Sequence, residues 1–188
     1  MQKRHRVFIA INLPENVKKV LAKYQEKHAE LPGRWVSKDN LHITLEFLGG
    51  LTDVEIADVC RVVGEVVKKY SPFSLNLSKV CYSGEGKKVP KMIWAKGEKS
   101  KELSDLKNGL QNALLEVIRF SADNRAFSPH ITLVRLKEWE LRRIEPEELP
   151  EVNEDVDLTF TVESIEVMES ELKRKGPQYT TLESFNLK

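Results

Sequence analysis

Apolar positions recur with a period of two over several short stretches and every three to four residues over the stretches between them. This change of period predicts alternating strands and helices. Arg6 to Leu13 (RVFIAINL) is rich in β-formers, and Pro14 follows at a first helical position, ahead of Val17, Val20, Leu21, Tyr24 and Leu31 at helical spacing. Pro32-Gly33 ends that helix, and Leu41 to Leu48 (LHITLEFL) alternates as a strand that Gly49-Gly50 turns. Thr52 and Glu55 form a capping box ahead of the stripe Ile56, Val59, Cys60, Val63, Val67 and Tyr70. Pro72 stops this helix, and Phe73 to Tyr82 reads as a strand.

The second half repeats the order. Met92 to Ala95 is a short strand, and Leu103, Leu106, Leu110, Leu114, Val117 and Ile118 stripe a helix. Phe127 to Arg135 contains a strand and Trp139 to Glu148 a short helix; strands at Leu158 to Val162, Ile165 to Met168 and Tyr179 to Phe185 complete the chain. Each half carries His-Ile-Thr-Leu at the same place in its order of elements, which points to duplication. The remaining Gly- and Pro-containing segments, Ser83 to Lys91 and Glu171 to Gln178, read as basic loops.

Composition narrows the classes. The chain has 188 residues, 40% of them hydrophobic, with 9 glycines and 8 prolines, so it can bury a core and is neither collagen-like nor disordered. Its apolar runs are too short for a transmembrane helix or a signal-peptide core, and a soluble, cytoplasmic protein is expected. The 2 cysteines make no disulfide framework and lack metal-ligand spacing. Charged residues reach 31%, a hint of an ion-pair-rich surface. The net charge is only +1, so any anion site must be local.

The chemistry concentrates in the repeated tetrapeptide. In a strand, residues two apart share a face about 6.6 Å apart. His42 with Thr44, and His130 with Thr132, therefore each present an imidazole beside a hydroxyl. Two halves packed about a pseudo-twofold axis would gather all four around one cleft. One imidazole can act as base and the other as acid near neutrality, while the hydroxyls hold non-bridging oxygens. A singly charged phosphodiester matches that set, and no metal or cofactor is required. The other histidines serve as controls: His5 is expected to be solvated near its terminus, and His28, four after Tyr24, to be a satisfied boundary residue.

The paired motifs, with RVFIAINLP at the start, RWVSKDNLHITLEFLG and FSPHITLVR around the histidines, and GPQYTTLESFNL at the end, resemble the 2H phosphoesterase superfamily. Within it they are most similar to the RNA 2′,3′-cyclic phosphodiesterases, historically called 2′-5′ RNA ligases. The resemblance spans nearly the whole chain. It implies an α+β, bilobal, duplicated fold in which two antiparallel sheets line a central groove with helices outside. One domain over 1–188 would comprise two lobes, about 1–90 and 91–188, with strand exchange between them allowed. It implies hydrolysis of RNA 2′,3′-cyclic phosphate ends to a 2′-phosphate, with weak reversible 2′-5′ ligation of tRNA halves. His42 matches the proton donor, His130 the proton acceptor, and Thr44 and Thr132 the phosphate-binding hydroxyls. An RNA-binding protein, or a phosphodiesterase for a small cyclic-phosphate nucleotide, is the alternative; a monomer with no membrane partner is expected.

Supporting residues follow from position. Arg135 matches a phosphate-contacting position of the family, yet strand parity puts it on the face opposite His130 and Thr132 unless a bulge turns it. Phe47, five after His42, could stack on a base, core packing being the commoner role. Trp35, Trp94 and Phe127 read as packing. Lys87, Lys88, Lys91, Lys173, Arg174 and Lys175 in the basic loops could rim the groove and track RNA phosphates.

Overall fold

The computed structural model describes residues 3–84, 89–123, 127–145, 147–174 and 176–188. The elements run β1 (His5–Asn12), α1 (Glu15–Lys27), β2 (Gly33–Trp35), β3 (His42–Leu51), α2 (Asp53–Val67) and β4 (Phe73–Tyr82). They continue β5 (Met92–Gly97), α3 (Lys101–Leu115), β6 (His130–Leu136), α4 (Glu138–Leu141), β7 (Asn153–Val162), β8 (Ser164–Lys173) and β9 (Gly176–Asn186). Two antiparallel sheets result, ordered β3-β1-β8-β9 and β2-β6-β5-β4-β7. The fold is α+β.

Without β2, the two orders superimpose element for element, β3 on β6, β1 on β5, β8 on β4 and β9 on β7. Each sheet draws strands from both halves of the chain. β4 leaves the first half to pair with β5, and β8 leaves the second half to pair with β1. The main apolar core fills the space between helices and sheets, with Ile9, Ile43, Val63, Ile93, Leu106 and Ile131 almost fully buried in it, and a smaller cluster of Phe8, Ala10 and Met168 packs with Tyr179. The helices bury most of their expected stripes, but Val20 of α1 is 39% exposed, and Leu31, Tyr70, Val117 and Ile118 lie beyond the helix ends. The Thr52–Glu55 capping box at the start of α2 is formed in both directions.

Several boundaries differ from the sequence pattern. Gly49 and Gly50 do not turn β3; both stay paired with β1, and Gly49 takes φ +80° beside a bulge at Leu48. The segment Glu171 to Gln178 is mostly ladder rather than loop, Glu171 pairing Gln178 and Lys173 pairing Gly176. Main-chain pairing carries the hairpin there, so its basic side chains leave no strand period. β7 starts at Asn153 for a similar reason, being an edge strand whose first residues alternate between exposed and half-buried. The short β2 is held by pairing to β6, and α4 spans only Glu138–Leu141. His5 is not solvated; it is clamped between Glu169 at 2.6 Å and Asp53 at 3.2 Å. His28 is buried against Glu154 at 3.4 Å.

Beneath β3 lies a buried ion pair. Lys107 of α3 meets Glu46 at 3.3 Å, and its ammonium also donates to Gln111 Oε1 at 2.9 Å and to the Asp123 carbonyl at 3.3 Å. Both side chains are about 5% exposed or less. Breaking such a pair leaves a charge without solvent or counter-ion. Lys107→Met is expected to lower unfolding free energy by about 3–5 kcal/mol in urea titrations, and the double variant Glu46→Leu/Lys107→Met to recover most of it.

Candidate active site

β3 and β6 each begin at the histidine of the repeated motif, and the two strands approach one another where the sheets meet. Both histidines are anchored alike. His42 Nδ1 lies 2.7 Å from the Asn40 carbonyl and His130 Nδ1 2.9 Å from the Ser128 carbonyl, each two residues upstream. A carbonyl only accepts, so each Nδ1 carries a proton and each neutral ring keeps its lone pair on Nε2. His42 Nε2 is 3.0 Å from the Thr44 hydroxyl. Identical anchoring on two strands thus fixes the tautomer on which acid–base work depends.

The bulges decide what else joins this face. Ala10 pairs with Thr44 but Ile9 with Glu46, so Leu45 is an extra residue in β3. Trp94 pairs with Thr132 but Ile93 with Val134, so Leu133 is its counterpart in β6. Each bulge buries two consecutive residues, Leu45 with Glu46 and Leu133 with Val134, and returns the next to the face of the histidine. Arg135 therefore shares the face of His130 and Thr132, contrary to simple parity. Phe47 occupies the equivalent place in β3 and is 66% exposed, so core packing is not its role.

The two histidines differ in surroundings. His42 sits among Phe8 at 5.1 Å and Tyr179 at 5.2 Å between ring centroids, with Phe47 6.1 Å beyond Phe8. Burial lowers its proton affinity below the ordinary histidine value; the Asn40 hydrogen bond opposes this, and the charges of Lys18, Arg135 and His130 add to it. His130 stacks on Trp94 at 4.2 Å. Trp94 does pack, as its sequence context suggests, but against this ring; Trp35 and Phe127 pack against the main core.

The β8–β9 hairpin closes one side. Asn40 Nδ2 donates to the Pro177 carbonyl at 3.0 Å, and a cleft of about 620 Å³ there is bordered by Asp39, Asn40, Lys173, Arg174 and Tyr179. Lys173 is paired with Glu171, and Lys91 with Glu138 at 3.0 Å. Lys87, Lys88 and Lys175 lie outside the described residues. Burial and the nearby Glu183 push the Cys60 thiol up to about 11, away from the thiolate form that reacts. Among the described residues no three His, Cys, Asp or Glu side chains converge as metal ligands, and no helix is long and apolar enough to cross a membrane.

The family model for LigT-like phosphoesterases matches this chain twice in succession, over residues 11–94 and 96–179, with one His-x-Thr motif in each match. The chain belongs to the LigT-like phosphoesterases. Curated relatives named RNA 2′,3′-cyclic phosphodiesterase include one from Geobacillus stearothermophilus, 32% identical over 98% of this chain. The chain spans only 58% of that relative's length. Another, from Thermus thermophilus, is 34% identical over 97% of this chain and 90% of its own. A crystal structure of a Thermus thermophilus protein superposes with TM-score 0.83 at 32% identity, covering 97% of both chains. Escherichia coli LigT complexed with 3′-AMP superposes with TM-score 0.78 at 26% identity over 98% of both.

The charges around His42 supply a test. Lys18, buried and donating to the Asp39 carbonyl at 3.3 Å, is one of those that depress its titration. In NMR pH titrations the His42 ring is expected to titrate below the ordinary value near 6.5, and Lys18→Met to move it upward.

Proposed function

We propose that this LigT-like phosphoesterase hydrolyses the 2′,3′-cyclic phosphate ends of RNA to 2′-phosphomonoesters without a metal ion. The observation that carries this reading is the matched pair of Nδ1-anchored histidines, each with its threonine hydroxyl, on two strands that meet. The names of the curated relatives support the substrate, and the E. coli LigT complex with 3′-AMP supports a nucleotide-sized site.

In the proposed step, Thr44 and Thr132 hold the non-bridging phosphate oxygens. His130 takes a proton from the attacking water through Nε2, and the water oxygen bonds to phosphorus. The bond from phosphorus to O3′ breaks as His42, protonated on Nε2, gives that proton to the departing oxygen. A 2′-phosphate and a free 3′-hydroxyl remain. In reverse the same two groups exchange duties, so weak 2′-5′ ligation of RNA ends such as tRNA halves belongs to the same site. Water outcompetes a hydroxyl end at cellular concentrations, so hydrolysis is the dominant direction. One chain supplies both histidines, so a monomer suffices to form the site.

The direct test is incubation with an oligonucleotide ending in a 2′,3′-cyclic phosphate in EDTA, followed by identification of the end group. A 2′-phosphate is the expected product; no turnover without a divalent ion would overturn the metal-free route. His42→Ala and His130→Ala should each lower turnover about 10²-fold or more, with the double variant little worse, because acid and base serve one transition state. The rate should be bell-shaped in pH, with its acid-side limb below 6.5 because His42 is depressed.

A further inference from the structure

The groove face of the five-stranded sheet carries a pair of arginines at one end. Arg34 of β2 stands directly opposite Arg135 of β6 in the antiparallel register. Gly33 and Trp35 flank Arg34 on the other face, where a Cβ on Gly33 would lie 2.5 Å from the buried Val134. Arg34 therefore projects with Arg135, and both side chains are exposed. Like charges directly opposed across strands are destabilising. No acidic partner relieves them among the described residues: Arg34 has no ion pair, and the Arg135 guanidinium reaches only Met92 Sδ, at 3.5 Å. Lys79, further across the same sheet, is by contrast paired with Asp155 at 3.8 Å.

Position gives the pair a ligand. Along β6 the face reads His130, Thr132, then Arg135 after the bulge, so Arg135 is one pleat beyond the hydroxyl and Arg34 one strand further out. The charge of Arg135 is already felt at His42. The matching place in β3 holds Phe47, an exposed aromatic ring with no charge. The groove is thus nearly symmetric in its acid–base groups and asymmetric one step beyond them, apolar on one side and dicationic on the other.

We propose that Arg34, together with Arg135, forms a subsite for the phosphodiester that joins the terminal nucleotide to its 5′ neighbour. This rests on the hydrolytic reading above and deepens it: the preferred substrate is an oligonucleotide end rather than a mononucleotide. Two planar guanidiniums suit one phosphate, which each can grip with paired N–H donors while cancelling their mutual repulsion. Arg34 acts only in binding and touches no reacting atom.

The test compares a mononucleotide 2′,3′-cyclic phosphate, a dinucleotide with the same end, and that dinucleotide with an uncharged methylphosphonate linkage. Wild type should favour the charged dinucleotide. Arg34→Ala should cut its kcat/KM preference over the mononucleotide about tenfold, chiefly through KM, the size expected of one charged hydrogen-bonded contact. Arg34→Lys should recover part of this, and on the methylphosphonate Arg34→Ala should show no such preferential loss. A preference unchanged by Arg34→Ala, or a loss that persists on the neutral linkage, would overturn the subsite and leave the hydrolytic reading standing. Fluorescence anisotropy with a labelled RNA trinucleotide ending in a 2′-phosphate reads the same contact without turnover. There Arg34→Ala should flatten the log–log salt slope by about 0.7. An unchanged slope counts against the subsite even if the hydrolytic reading itself has failed.

Discussion

One extra residue in each motif strand organises this molecule. A strand of strict period two that shows His and Thr to the groove would send the residue three beyond Thr to the opposite, core-facing side. Inserting Leu45 and Leu133 against β1 and β5 allows two consecutive side chains to be buried and the following one to return to the groove. The histidine, the threonine and the fifth residue after the histidine thereby share one face in both sheets. A bulge is anchored by the buried side chains on either side of it, so the face is held by the core. Below β3 that anchorage includes a charge, Glu46, held by Lys107, where β6 has the apolar Val134.

The strand exchange is the second constraint. β1 lies between β3 of its own half and β8 of the other, and β5 lies between β6 and β4 in the same way. Neither half can complete a sheet alone, and pairs such as Phe8 with Met168 close the chain over most of its length. Distant pairing is costly in loop entropy and slow to form. Its return is that β9, at the opposite edge of the sheet from β3, brings Tyr179 against His42 and the Pro177 carbonyl against Asn40.

Local chemistry was legible in the sequence and long-range geometry was not. The Thr52–Glu55 box, most of each helical stripe and the His-x-Thr strands are set within a few residues by caps and periodicity, and they stand where the pattern put them. The duplicated motif, and through it the family, was readable because two tetrapeptides repeat. The bulges were not: an extra residue is defined only against a partner strand, so Arg135 read as pointing away. Gly49-Gly50 read as a turn because glycine marks both turns and bulges, and only the pairing to β1 decides. β2, three residues held from outside, has no period to detect, and with it the company kept by Arg34 was hidden.

Near-symmetry and charge together bear on where a nearly neutral chain would hold an anion. Many of its cations are spent locally, as in Lys27 with Glu154, Lys101 with Asp105 and Lys137 with Glu140, each at 2.8 Å or closer. Such exposed pairs stabilise little, but they cancel the far field. Attraction for a polyanion must then come from cations without acidic partners, and Arg34 and Arg135 stand within a pleat or two of Thr132. Across the groove the same pleat holds Phe47, so a ligand with one charged and one aromatic end meets unlike surroundings in its two orientations. The duplicated strands place two alike-anchored histidines on facing strands, and the residues where the duplication has diverged, Phe47 against Arg135, make the two sides of the groove unlike.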